Sequence, residues 1–370
     1  MILANSFRRQ WEDTRSGVLD AVACVGESAW YIMGGELKQF ENSLASLWTL
    51  PYCAGVASGM DALELSLKAL GCGPGDPVLT TPLSAFATAL AILKLGAIPV
   101  FVDTDPFGLI DLDLCEALLA KRPDIRFFVP VHLYGNAVNL VRLRALRERF
   151  GLAIVEDCAQ SILGSSDGAF TGTAGQMAAT SFYPTKNLGA MGDAGAILTS
   201  DESLFQHVLA LRDYGQTAKY RHDYIGYNSR LDELHAAILR RVYLPRLAPW
   251  TARRRAIANR YLASISHPLV RIIASAPRSD SGYHLFPVLI ADGRKPQFIE
   301  YLHHADIGSG EHYPFLIPDQ KAMSGVPFEV WGEFSQARRI AESEVSLPIH
   351  PYMTDGEVEC VIETCNRWPG

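Results

Sequence analysis

From about residue 52 to residue 199, short apolar runs alternate with stretches whose apolar residues recur at helical spacing. The pattern predicts strands over 53–56, 77–81, 98–102, 125–131, 153–156, 179–182 and 194–199. Helical patterns lie between them, among them 61–70, 87–95, 112–120 and 140–149. Runs such as "AIPVFV" and "FFVPV" are apolar without alternation, as strands covered on both faces must be. Strand and helix in alternation predict an α/β fold built on a mainly parallel, seven-stranded sheet with helices on both faces.

The first fifty residues read as helices packed on the α/β segment. After Gly226 the rhythm changes. "SRLDELHAAILRRVYL" is an amphipathic helix, and an arginine-rich helix runs from there to about residue 265. Beyond it a strand pattern, "YHLFPVLI", mixes with helices over 298–304 and 355–365. We therefore expect two domains: a large α/β domain over 1–226 and a smaller α+β domain over 227–370.

Composition narrows the function. Hydrophobic residues make up 48% and charged residues 20%, the balance of a globular protein with a sizeable core. Net charge is −7, and the one basic run, Arg253 to Arg255, reads as a solvated helix face, so no nucleic-acid partner is expected. The seven cysteines include no C-x-x-C pair, which suits a reducing cytoplasm and suggests neither zinc nor a disulfide framework. No H-E-x-x-H or phosphate-loop motif occurs, and no metal site is expected. The most apolar stretch, "AFATALAILKLGAIPVFVD", is broken by Lys94, Gly96 and Pro99, so it reads as a buried helix and strand rather than a membrane span. The opening "MILANSFRRQWEDTRSG" lacks a signal peptide's apolar run.

In open parallel sheets ligands sit beyond the carboxyl ends of the strands. After the strand at 53–56 comes "ASGMDAL", a turn through Ser58, Gly59 and Met60 into a helix. After the strand at 153–156 comes "EDCAQS", and after 179–182 comes "YPTKNLGAMGDAGA", a lysine in a glycine-rich loop. A helix-opening turn offers free N–H groups to a phosphate. A carboxylate such as Asp157 would keep a pyridine nitrogen protonated, and a partly buried lysine loses its proton readily, as Schiff-base chemistry requires. Each feature alone has a commoner explanation: a plain turn, a helix cap, a solvated charge. Their joint order along the chain is what points to pyridoxal phosphate (PLP).

The segments "ASGMDALELSLKALGCGPGDPVLTTPLSAFATALAI", "PVHLYGN", "VEDCAQS", "SFYPTKNLGAMGDAGAI" and "GYNSRLDELHAAIL" resemble the DegT/DnrJ/EryC1/StrS family of nucleotide-sugar aminotransferases, fold-type I PLP enzymes, over nearly the whole chain. The resemblance implies that Lys186 carries the cofactor and moves the proton, Asp157 holds the ring nitrogen and Gln160 the ring hydroxyl. It implies phosphate contacts from Gly59, Met60 and Ser181, a ring stacked by Phe86, and Asn228 reaching in from the partner subunit of a homodimer with shared sites. Asn228 is expected to lie too far from its own chain's Gly59 to serve there. A nucleotide-linked keto sugar and L-glutamate would be the substrates. The lysine loop resembles the branch that aminates 3-keto sugars, with Tyr183, Lys219, Tyr220, His222 and His312 toward the sugar nucleotide; amination at C4 is the alternative. Two departures stand out: Ala85 occupies a position where relatives carry threonine, and "HYPFLIPDQ" differs from the usual loop. From another class, Gly164 to Gly168 satisfies G-x-S-x-G, a hydrolase elbow with Ser166 as nucleophile, but no strand leads into it and no helix leaves it.

Overall fold

The structure is a computed structural model that describes residues 1–370. Helices α1 (Phe7–Ser28) and α2 (Gly35–Trp48) lead into a central sheet. Its first seven strands are β1 (Tyr52–Val56), β2 (Pro77–Thr80), β3 (Ile98–Val102), β4 (Phe127–Val129), β5 (Ala153–Asp157), β6 (Met177–Ser181) and β7 (Gly195–Thr199). The connecting helices are α3 (Gly59–Ala69), α4 (Phe86–Lys94), α5 (Leu112–Leu119), α6 (Leu140–Phe150) and, after β7, α7 (Glu202–Arg212). Next come α8 (Glu233–Ile238) and α9 (Leu244–Ser264), joined through a π turn. The C-terminal part adds β8 (Val270–Ile272), β9 (Phe286–Ile290), α10 (Lys295–His304), β10 (Glu329–Trp331), α11 (Ser335–Ser343), β11 (Glu344–Leu347) and α12 (Asp355–Arg367).

The central sheet runs β1-β7-β6-β5-β4-β2-β3-β10. It has eight strands where the sequence pattern predicts seven. The eighth, β10, joins parallel to β3 and comes from the C-terminal part; three residues, "EVW", are too few to show a periodicity. Only β7 runs against the rest, so β1, β2, β4, β5 and β6 all end at one edge. A separate sheet of β8, β9 and β11 carries the C-terminal part.

Apolar clusters divide in the same way. One lies among β2 to β5 and α4 to α6, and includes Leu79, Phe101, Phe128 and Leu143. A second joins α1 and α2 to β6 and α8, through Val18, Phe40, Phe182 and Ile238. A third packs the small sheet on α9 and α12, through Tyr261, Phe286, Val345 and Val358. Helix α9 reaches both of the last two, with Leu247 in one and Ile257 in the other. That double contact corrects the reading of Arg253 to Arg255 as a solvated face: Arg254 is 4% exposed, because α9 is covered on that side by the small sheet.

One carboxylate ties α8 back to the start of α2. Glu233, in the first turn of α8, is buried and accepts N–H groups from Gly34 (2.8 Å), Glu36 (2.8 Å) and Leu37 (3.0 Å). These are first-turn amides of α2, which have no carbonyl partner within their helix. Glu233→Ala is therefore expected to destabilise the protein by about 3 kcal/mol in urea unfolding, since three amides lose their acceptor. Thr354→Ala, which removes the exposed capping box of α12, should cost about 1 kcal/mol. Equal losses for the two variants would show that Glu233 does not anchor α2.

Candidate active site

The three strand-end motifs meet at one edge, as their order along the chain predicts. β1 runs into α3, whose N-cap Ser58 accepts the Asp61 N–H at 3.1 Å. Gly59 and Met60 open the helix, so their N–H groups have no carbonyl partner within it. A Cβ on Gly59 would stand 2.5 Å from the Ser181 Cβ, so only glycine lets this turn close on the end of β6. Ser181 Oγ accepts the Tyr183 N–H at 3.2 Å, which starts the lysine loop.

That loop folds on itself. The Lys186 N–H donates to the Tyr183 carbonyl at 2.8 Å, and a Cβ on Gly189 would lie 2.2 Å from the Pro184 oxygen. Asn187 Nδ2 fastens it to Gly282 at 2.8 Å. Burial disfavours the Lys186 ammonium and pulls it down to about 8, against the opposing pull of Asp157. At pH 7 about one amine in ten is then unprotonated, a few hundredfold more than for a free lysine.

Asp157 ends β5 and is 5% exposed. Its Oδ2 accepts the Thr88 hydroxyl at 2.9 Å and its Oδ1 the Ala159 N–H at 3.1 Å. Thr88 is held in turn by Ser84 at 3.0 Å. Burial raises the Asp157 carboxyl; the two hydrogen bonds and the Lys186 charge work the other way. The next acid back, Glu156, is bound on the far side by His132 (2.9 Å) and by the N–H groups of Gly172, Ala174 and Gly175 (2.7–2.8 Å). His132 Nδ1 accepts the Val138 N–H, so its proton sits on Nε2, toward Glu156.

Gln160 comes next in the turn after Asp157. Its Oε1 accepts the Tyr134 N–H at 2.7 Å, and its Nε2 donates to the Tyr313 hydroxyl at 3.1 Å, leaving one amide hydrogen unused. Phe86, the half-buried first residue of α4, stands two positions before Thr88. His312 arrives from the C-terminal part. Its N–H donates to Glu344 at 2.6 Å, its Nδ1 bonds Ser346 at 2.9 Å and its carbonyl accepts the Tyr134 hydroxyl at 2.6 Å. Burial, then the Lys186 charge, holds the imidazole down at about 4, so it is neutral.

Other expected residues stand apart. Lys219, Tyr220 and His222 lie on an exposed hairpin, where the Lys219 Nζ sits 5.3 Å from the Tyr220 ring centre and His222 Nδ1 bonds the Tyr214 carbonyl. No hydrogen bond or ion pair joins this hairpin to Lys186. Tyr183 is 52% exposed. Asn228 is exposed and its side chain makes no hydrogen bond within the chain. Its segment is nearer the phosphate turn than expected, because Ser229 Oγ donates to Asp61 Oδ2 (2.6 Å) and accepts the Ala57 N–H (3.1 Å). Nor does Asn228 cap a helix: α8 starts further on, behind Asp232. Ser166 is buried in a two-residue strand paired with Ala169–Phe170, with no helix after it and no histidine bonded to it, so the hydrolase elbow is absent. Thr88 and Tyr134 fall within the segments "SAFATALAI" and "PVHLYGN", and Tyr313 within "HYPFLIPDQ", but no local signal marks them, or Glu344, as partners of the site.

The residues present fit PLP: a glycine turn with unpartnered amides, a buried carboxylate at a strand end and a lysine poised near neutrality, all on one edge. Comparison with known proteins agrees. The chain is 38% identical over 363 residues to dTDP-3-amino-3,4,6-trideoxy-alpha-D-glucose transaminase of Streptomyces venezuelae, covering 97% of this chain and 93% of that one. It is 34% identical over 355 residues to a pleiotropic regulatory protein of Geobacillus stearothermophilus, covering 96% and 95%. The crystal structure of S. venezuelae DesV in complex with a ketimine intermediate matches with a TM-score of 0.94 at 37% identity, covering 100% and 98%. The profile of the DegT/DnrJ/EryC1/StrS aminotransferase family matches residues 13–366. The chain thus belongs to the DegT/DnrJ/EryC1/StrS aminotransferase family, whose enzymes depend on PLP.

Proposed function

We propose that this aminotransferase moves an amino group from L-glutamate to C3 of a nucleotide-linked keto sugar, a dTDP-3-keto-6-deoxyhexose, in the cytoplasm. The observation that carries the chemistry is the pairing of Lys186, held near neutrality by burial, with Asp157 on the same sheet edge. The sugar and its nucleotide rest on the Streptomyces relative, whose name specifies a 3-amino sugar on dTDP. The compartment rests on seven unpaired cysteines.

Bound here, PLP supplies an electron sink for the bond to be broken. The protein's own residues do the rest. Asp157 would accept the hydrogen bond of the ring nitrogen and keep it protonated; Thr88 and Ala159 fix the carboxylate in place. Gln160 would offer its remaining amide hydrogen to the ring hydroxyl, Phe86 would pack against the ring, and Gly59, Met60 and Ser181 would hold the phosphate. Lys186 Nζ would remove the proton from the donor's α-carbon in the first half-reaction and deliver a proton to the sugar carbon in the second. Tyr183 and the neutral His312 face the sugar.

The protein acts as a homodimer. Trp30, Tyr31, Ile32 and Met33 are 39–62% exposed in one run, and Tyr220 and Ile225 are 83% and 87% exposed, an apolar surface that a partner would cover. Asn228, without a partner in its own chain, reaches the phosphate of the other site, and Lys219, Tyr220 and His222 reach its sugar nucleotide.

Three measurements test this function. Borohydride reduction and then peptide mapping should find the pyridoxyl mass on Lys186; a mark on another lysine overturns the assignment. Asp157→Asn should fold normally and slow transamination roughly a thousandfold, because a neutral amide cannot hold the ring nitrogen protonated. Full turnover in that variant would give Asp157 a different role. Lys186→Ala and Asn228→Asp chains, each inactive alone, should regain about a quarter of wild-type activity after unfolding and equal remixing, since half the dimers then hold one intact site. An inactive mixture with proven subunit exchange rules out the shared site.

A further inference from the structure

Strand β11 buries two polar side chains, Glu344 and Ser346, which share a face because they stand two positions apart. Both are turned on His312. Glu344 Oε2 accepts the His312 N–H at 2.6 Å, Glu344 Oε1 meets the Ser346 hydroxyl at 2.5 Å, and Ser346 Oγ meets His312 Nδ1 at 2.9 Å. The backbone locks this chain of bonds in place, since Gly310 and Ser346 each donate an N–H to the other's carbonyl (3.1 and 2.8 Å). A Cβ on Gly310 would stand 2.8 Å from His312 Cε1, so glycine leaves room for the ring. His312 Nε2 is left without a partner in the chain and is not sealed off by its surroundings.

Hydrogens can be placed along this chain in two ways that keep every bond. The imidazole is neutral, so one of its nitrogens holds the single ring proton. With Glu344 ionised, Oε1 accepts the Ser346 hydroxyl, Ser346 Oγ accepts Nδ1–H, and Nε2 is bare. With Glu344 protonated on Oε1, the acid donates to Ser346, Ser346 donates to Nδ1, and the ring proton sits on Nε2. Passing from the second arrangement to the first releases one proton, and it leaves from Nε2: the Ser346 hydrogen moves to Nδ1 and the Glu344 hydrogen to Ser346. Burial pushes the Glu344 carboxyl up to about 8, against the pull of the His312 N–H, the Ser346 hydroxyl and the Lys295 charge, while Glu311 adds to the rise. Lys295, on α10, is itself paired with Glu311 at 2.5 Å. The Tyr134 and Tyr313 hydroxyls, which also feel Glu344, are raised by burial and stay neutral. The acid thus changes state within reach of neutral pH.

We propose that Glu344 is a positioning residue that decides, through Ser346, which nitrogen of His312 carries the ring proton, and so whether Nε2 offers the sugar an N–H or a lone pair. With Glu344 protonated, Nε2–H is a donor for the keto oxygen of the sugar. A neutral imidazole can release that proton without becoming an anion, because the relay refills Nδ1 from the other side and Glu344 ends ionised. The role toward the sugar rests on the reading that His312 faces it; the proton arrangement does not.

The test uses the holoenzyme carrying isotope-labelled histidine, with the His312 signals identified by their loss in His312→Gln. Nitrogen NMR should find the ring proton on Nε2 at about pH 6.5 and on Nδ1 at about pH 9.5. Glu344→Gln imitates the protonated acid: its carbonyl accepts the His312 N–H, its amide donates to Ser346, and the proton should stay on Nε2 at both pH values. Ser346→Ala cuts the relay and should abolish the switch, which keeps the test open where Glu344→Gln fails to fold. A ring proton that does not move in the wild type, or that still moves in Ser346→Ala, overturns the proposal. Kinetics test the role. Lys186 titrates in the same range and enters both half-reactions, so the quantity to follow is the rate with a dTDP-3-keto-6-deoxyhexose divided by the rate with L-glutamate. From about pH 8 to about pH 9.5 this ratio should fall on the order of tenfold in the wild type and stay flat in Glu344→Gln. A flat wild-type ratio beside a moving proton overturns the role toward the sugar. Failure of the wild type to aminate that sugar at any pH refutes the substrate reading instead, and the NMR result still decides the relay.

Discussion

Successive side chains of a strand point to opposite faces, and at the end of β5 this sets two buried carboxylates back to back. Neither stays charged inside protein without donors. For Glu156 burial is the largest single influence, yet four donors, from His132 and the 172–175 loop, together outweigh it and hold the carboxyl below its ordinary range. For Asp157 burial wins, because its two donors are too few to offset it. The imbalance separates a structural acid from one still able to accept a cationic partner. Much of the surrounding layout serves to satisfy this pair: the entry of α4, the turn through Ala159 and Gln160, and the loop before β6.

The lysine loop solves a second constraint. It joins β6 to β7, neighbours that run antiparallel, so it must leave the sheet edge and return to it. Such a loop is ordinarily exposed and mobile. Here it is pinned by Ser181 at its start, by Asn187 to Gly282 and by its own tight turn at Gly189, which keeps Lys186 low in a region of poor solvation. The depressed lysine is thus a property of the loop's anchoring rather than of a single neighbour.

The strand-end motifs are legible in the sequence because periodicity and chemistry both reside in contiguous residues there. "VEDCAQS" declares a strand and its acid together, and "SFYPTKNLG" a strand and its lysine. Long-range partners are not legible. Thr88 meets Asp157 across 69 positions, and Tyr134 meets His312 across 178. Arg254 reads as solvated because its own helix is polar; its burial comes from β9 and from the segment after β11, which a local pattern does not contain. The position of Ser229 beside Ala57 is likewise invisible, since the backbone returns there by bridging Asn228 to Asp213.

The placement of β10 has a consequence for how the chain is made. Synthesis runs from the amino terminus, and β3 is complete long before its outer neighbour, Glu329–Trp331, emerges from the ribosome. For that interval β3 is a bare sheet edge, apolar in sequence and open to pairing with another nascent chain. Pairing with the late-arriving strand closes that edge, so the sheet's outer boundary is set by residues made near the end of synthesis.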